Sequence, residues 1–211
     1  MQLHLIRHPR PDVAPGICYG QTDLGLAESA AAVAARLRPL LPESFALHAS
    51  PLARARLLAE ALGTPRLDNR LKEIHFGDWE GRSFDDIGAA IDDWAADPLG
   101  FRAPGGESPR EMAARVLAWL EEHGVTPRTP DAGSESALAS KAEVAEVRAC
   151  PPSPEESAHL VVVAHGGPLR VLAGHLLGLP PERWIGLDFG CGQVTRIDVE
   201  SWGTVLKWFN R

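Results

Sequence analysis

Leu160-Val161-Val162-Val163-Ala164 sets the frame for this chain. Five apolar residues in a row leave no polar face, so a strand built from them is covered on both sides. That is the condition of a central strand in a parallel sheet. His165-Gly166-Gly167-Pro168 follows, and then a helical pattern to about Leu177. Two further strands precede helices in the same way. Leu3 to Ile6 runs into Arg7-His8 and is stopped by Pro9, which cannot donate to a sheet ladder. Phe45 to His48 runs into Ser50-Pro51. Strands alternating with helices predict an α/β fold, a three-layer αβα sandwich around a mostly parallel central sheet.

Between these strands, Ala30, Val33, Ala34, Leu37 and Leu41 recur at helical spacing and Pro39 and Pro42 end that helix. Ser50 as N-cap and Pro51 at the first position predict a helix to Leu62, closed by Gly63. A short strand is expected over 66–71. Ser83 with Asp86, and Ser108 with Glu111, have capping-box spacing. Gln193 to Val199 and Thr204 to Phe209 alternate as strands, with Trp202-Gly203 near their turn. At 211 residues one domain over 1–211 is expected. The pattern fails from Val125 to Ala158, where five prolines bracket a Ser/Ala/Glu-rich piece. Residues 125–158 read as a flexible surface insertion, with a structured lid as the alternative.

Net charge is −7, which argues against nucleic acid and anionic membrane as partners because the long-range field repels polyanions. No stretch approaches the length of a membrane span. Cys18, Cys150 and Cys191 are odd in number and widely spaced, which suggests neither disulfides nor a cysteine zinc site. A reducing, cytoplasmic location is the expectation, as monomer or homodimer.

Within this acidic chain three strand ends carry groups suited to an anion: Arg7-His8, Ser50 leading to Arg54, and His165-Gly166. In a parallel sheet the carboxyl ends share one edge, where ligands bind. Helix N-termini at the second and third junctions add free N–H groups there. Taken singly these residues say little. Three Lys leave 18 Arg among the 21 basic residues, and with eight His about one Arg-His pair is expected by chance. A strand-end histidine is ordinarily a hydrogen-bonded structural residue, and an arginine on a helix is ordinarily solvated. The combination predicts a phosphate-sized cationic pocket.

The motifs resemble the histidine phosphatase superfamily, also called phosphoglycerate mutase-like. Leu5-Ile6-Arg7-His8-Pro9 resembles its N-terminal Arg-His-Gly motif, and Ser50-Pro51-Leu52-Ala53-Arg54-Ala55 its Ser-x-Leu-x-Arg-Ala segment. Glu73 to Gly81, Pro104 to Ser108 and Val163-Ala164-His165-Gly166-Gly167 are similar to three further family elements. Pro9 departs from the usual Gly and removes any phosphate contact through that amide. The stretch from Pro11 to Leu24 resembles the alpha-ribazole phosphatase subgroup of cobalamin synthesis.

The resemblance implies a phosphoglycerate mutase-like fold and a metal-independent phosphatase acting on a small phosphorylated metabolite, alpha-ribazole 5′-phosphate first. It implies no cofactor. His8 would be the nucleophile, with its other ring nitrogen donating to a backbone carbonyl. Arg7, Arg54, His165 and the Gly166 amide would hold the phosphoryl oxygens, and His165 would be protonated once phosphate is bound. Glu73 would be the general acid and then the base, with Glu80 as rival. Gln21 and Thr22 would border the leaving group, with ordinary loop structure as the alternative, and His75 reads as structural. Other readings are a broad-specificity phosphatase, a phosphoglycerate mutase and a non-catalytic phosphate-binding regulator.

Overall fold

The computed structural model describes residues 1–126 and 158–211. The expected insertion at 125–158 therefore lies, apart from its outermost residues, outside the described part, as does Cys150. Cys18 and Cys191 are free thiols. Among the described residues no helix is long and apolar enough to cross a membrane.

Six strands form one mixed sheet: β1 (Gln2–Arg7), β2 (Ala46–Ala49), β3 (Arg66–Leu67), β4 (His159–Ala164), β5 (Val194–Glu200) and β6 (Gly203–Trp208), in the order β3-β2-β4-β1-β5-β6. β1, β2, β3 and β4 are mutually parallel, β5 pairs antiparallel with β1, and β6 pairs antiparallel with β5 and closes one edge. The apolar run Leu160–Ala164 is buried throughout, as its lack of a polar face requires. Its alternate residues feed two cores. Val161 and Val163 pack with Ile6, Leu47 and Val194 against α1 (Ala30–Leu37) and α2 (Ala53–Leu62). Leu160 and Val162 pack with Leu3, Leu5 and Ile197 against α5 (Pro109–Glu122) and α6 (Gly166–Leu176). The result is three layers. A smaller cluster of Cys18, Trp79, Ile87 and Ala103 lies by α3 (Phe84–Ile87) and α4 (Ala90–Ala96).

Local chemistry sets most boundaries. Ser29 caps α1, which tightens into a 3-10 turn at Arg38–Leu40 once Pro39 enters. Ser108 and Glu111 form a complete capping box at α5. Three expectations are corrected. α2 starts at Ala53, with Leu52 at the N-cap and no side-chain cap; Ser50 lies ahead of the helix, its hydroxyl between Leu52 N and His165. The strand over 66–71 stops at Leu67, because Asp68 caps a 3-10 turn at Asn69–Leu71. α6 starts at Gly166, so Pro168 lies within its first turn rather than ahead of the helix.

Candidate active site

Register alone brings the three strand ends together. Arg7 pairs with Ala164 and Ala49 with Val163, so β4 lies between β1 and β2 with their carboxyl ends level. The next residue in each case is His8, Ser50 or His165, and all three are buried. The His8 amide donates to Ala164 O (3.0 Å) and the Ser50 amide to Val163 O (3.0 Å). The ladder thus continues one residue past the strands and fixes both side chains. The rings of His8 and His165 stand 5.0 Å apart.

His8 Nδ1 donates to the Pro9 carbonyl at 2.6 Å, which leaves the lone pair on Nε2. The position after His8 therefore contributes its carbonyl, which proline keeps. Burial, opposed by the Pro9 bond and joined by Arg54 and Arg7, lowers the His8 pKa to about 3. His165 lies well below the ordinary histidine range, through burial first and then His8, Arg54, Arg7 and Arg115. These shifts favour the neutral form of both imidazoles.

Arg54 is fully buried, although it opens a helix that faces solvent on its other side. Its guanidinium donates to the carbonyls of Thr22 and Gly20, and its Cζ lies 5.4 Å from the Tyr19 ring centroid. Arg7 donates through Nη1 to Phe189 O at 2.6 Å. Nε of Arg7, Nε of Arg54 and Nδ1 of His165 are buried without partners. Unpaired buried donors are costly, so a cluster of them is stable chiefly when an anion fills it. Gly166 borders the same space: a Cβ there would meet Arg7 Cζ at 3.6 Å.

The two candidate carboxylates have different surroundings. Glu73 accepts from the Gly167 amide at the start of α6 (3.1 and 3.2 Å to its two oxygens) and from Ile74 N. It is thereby seated beside His165 and Gly166. Glu80 instead accepts from the amides of Gln21, Thr22 and Phe76 and from the Thr22 hydroxyl. Burial raises its pKa, but those bonds, Thr22 foremost, outweigh burial and lower it. Glu80 is a clasp for the 20–22 loop that holds Arg54. Thr22 is exposed, with its side chain and amide given to Glu80, and Gln21 Nε2 donates to Glu73 O. His75 braces its own loop, accepting from Gly77 N at 3.3 Å.

Two roles escaped the sequence reading, the contact of Ser50 with His165 and the bracing by Arg115. Ser50 touches His165 Nε2 at 2.7 Å, yet before a proline it has the signature of an N-cap. Arg115 pairs with Glu107 and donates to the carbonyls of Arg70, Lys72 and Glu73, so it holds the segment that presents Glu73. On an amphipathic helix such an arginine looks like any solvated residue. Beyond Glu73 and Gly167 opens a groove of about 480 Å³ lined mainly by apolar side chains, among them Phe76, Trp94, Leu99, Met112, Leu117 and Trp184.

The sequence profile of the histidine phosphatase superfamily (branch 1) matches residues 3–132 and 122–211. The glucosyl-3-phosphoglycerate phosphatase of Mycobacterium tuberculosis is 33% identical over 203 residues, covering 88% of this chain and 79% of that protein. The solved structure of a mycobacterial glucosyl-3-phosphoglycerate phosphatase superposes with a TM-score of 0.72 at 27% identity, over 99% of this chain and 98% of that one. The alpha-ribazole phosphatase of Shigella flexneri gives a TM-score of 0.76 at 23% identity, over 100% and 96%, a likeness of fold.

Proposed function

This chain belongs to the histidine phosphatase superfamily and is a phosphoric monoester hydrolase, and on that premise we propose that it works without metal through a phosphohistidine on His8. The observation that carries the reading is the His8–Pro9 hydrogen bond, because it leaves Nε2 as an unprotonated nucleophile among buried cationic donors.

The lone pair of His8 Nε2 attacks phosphorus as the bond to the leaving oxygen breaks. Charge spreads over three equatorial oxygens, and fixed donors aimed at them supply most of the catalysis. Arg7 and Arg54 provide planar forks, with the Gly166 amide and His165 beside them. The negative charge of phosphate between the rings favours protonation of His165, against the burial and neighbouring cations that lower its pKa. Glu73 gives its proton to the leaving alkoxide. It then takes a proton from the water that attacks phosphohistidine, which releases phosphate and restores neutral His8. A carboxyl in this role contributes about 10²- to 10⁴-fold. Gln21 and Thr22 act through the loop they build, holding Glu73 and Arg54 in place.

For substrate we propose alpha-ribazole 5′-phosphate. Its leaving group carries an apolar benzimidazole, which suits the mainly apolar groove bounded by Glu73 and Gly167. Glucosyl-3-phosphoglycerate is the second reading, favoured by the 33% identical relative. Chelator-treated protein should hydrolyse a chromogenic aryl phosphate, and His8→Ala should not. Among alpha-ribazole 5′-phosphate, glucosyl-3-phosphoglycerate and 3-phosphoglycerate, the first should have the highest kcat/KM. A higher value for the second would replace the substrate, and interconversion of phosphoglycerates faster than hydrolysis would make the chain a mutase. Phosphate binding without turnover of any monoester would overturn the enzymatic reading.

A further inference from the structure

Ser50 has no part in the steps above, yet it is fully buried with its hydroxyl against His165. Its Oγ accepts from Leu52 N at 3.3 Å and lies 2.7 Å from His165 Nε2. A hydroxyl has one hydrogen to give and two lone pairs to fill. The Leu52 amide occupies one lone pair, and the hydrogen finds its acceptor in Nε2.

Resting on the phosphatase reading, we propose that Ser50 is a positioning residue: by donating to His165 Nε2 it fixes the Nδ1–H tautomer, so that a neutral imidazole meets the incoming phosphate as a donor. A neutral imidazole has one donor and one acceptor nitrogen, and its tautomer decides which of them faces a ligand. Nδ1 is the ring nitrogen of His165 without a partner, like Nε of Arg7 and Nε of Arg54. In the assigned tautomer all three are donors, the set an anion needs. The other tautomer would strand the serine hydrogen and offer a lone pair to phosphate. The groups facing His165 make this choice necessary. Burial first, and then the ring of His8, Arg54 from α2, Arg7 from β1 and Arg115 from α5, all disfavour a second proton on His165. The Glu73 carboxylate is engaged by Gly167 on His165's own helix.

Histidine-¹⁵N-labelled full-length protein tests the assignment, with the His165 signals identified by their loss in His165→Gln. Nδ1 should be the protonated nitrogen at about pH 7.5 and should shift on adding inorganic phosphate. In Ser50→Ala the proton should move to Nε2 and phosphate should bind on the order of 10-fold more weakly. Donation from His165 in that variant requires imidazolium. The ratio of its kcat/KM to wild type should therefore fall progressively from about pH 6 to about pH 8.5, and Ser50→Thr should restore a flat ratio. A wild-type Nε2–H tautomer, or a pH-independent Ser50→Ala ratio, would overturn the proposal. Should the variants not fold, the wild-type spectrum still decides. Failure of the protein to hydrolyse any monoester while His165 keeps Nδ1–H would instead refute the phosphatase reading.

Discussion

Glu73 and Glu80 are seven residues apart on one loop and cannot be told apart by charge or spacing; their hydrogen bonds separate them. Glu73 sits on the first turn of α6 beside His165, whereas the Glu80 oxygens are taken up by Gln21, Thr22 and Phe76. Glu73→Gln should therefore lower kcat/KM, which reports the first step, by about 10²- to 10⁴-fold with alkyl phosphates, whose leaving groups need a proton, and far less with an aryl phosphate. Glu80→Gln should lower activity by a similar factor with both substrate types, since it loosens the loop that holds Arg54. Steady-state rates against leaving-group pKa measure the difference. A leaving-group dependence that moves to Glu80→Gln would reverse the assignment.

The catalytic segments are loops held by close backbone approach. Residues 75–78 cross residues 103–107, with the Asp78 amide on Pro104 O and the Glu107 amide on His75 O, both at 2.8 Å. Gly77 makes the crossing feasible: its φ is +53°, and a Cβ there would lie 2.0 Å from Pro104 O and 2.5 Å from Gly106 N. Neither contact can be relieved by a side-chain rotation. Gly77→Ala should cost about 2–4 kcal/mol, from overpacking together with left-handed strain, read as a lower urea midpoint. An unchanged midpoint would mean that the crossing is slack. How much of such an element is legible beforehand depends on whether its cause is local. The apolar run 160–164 and the Ser108–Glu111 box declare themselves. Ser50 does not, since the same residue before proline is expected to cap a helix and here turns to a histidine 115 positions away. The over-long strand at 66–71 is a miss of the other kind, with a local cause: the Asp68 side chain accepts from Arg70 N and favours a turn over a ladder.

Over the whole molecule, the site is a cationic hollow in a chain of net charge −7, and its histidines carry a cost at low pH. Burial, the leading cause in each case, lowers His4 and His48 to about 4 and His8 to about 3, and it also lowers His165 and His175. The unfolded chain therefore binds more protons than the native one below pH 6.5. Stability is fully present above that value and is lost as pH falls toward 4, with a slope of at most about 1.4 kcal/mol per pH unit for each group. The lowered Asp68 and Glu80 carboxylates act in the same direction. The urea midpoint at about pH 5 should lie clearly below that at about pH 7.5. An equal or higher midpoint at the acid end would show that these imidazoles are solvated.

Covalent capture at one ring nitrogen tests the chemistry most directly. Glu73→Gln, given an aryl phosphate and quenched rapidly in alkali, should accumulate a phosphoryl group on the peptide bearing His8. Activation by the good leaving group lets the first step proceed, while the second step lacks its base. His8→Ala should carry none. Phosphate release by wild type with the label on another residue, or with no protein-bound phosphoryl group in either protein, would contradict attack by His8.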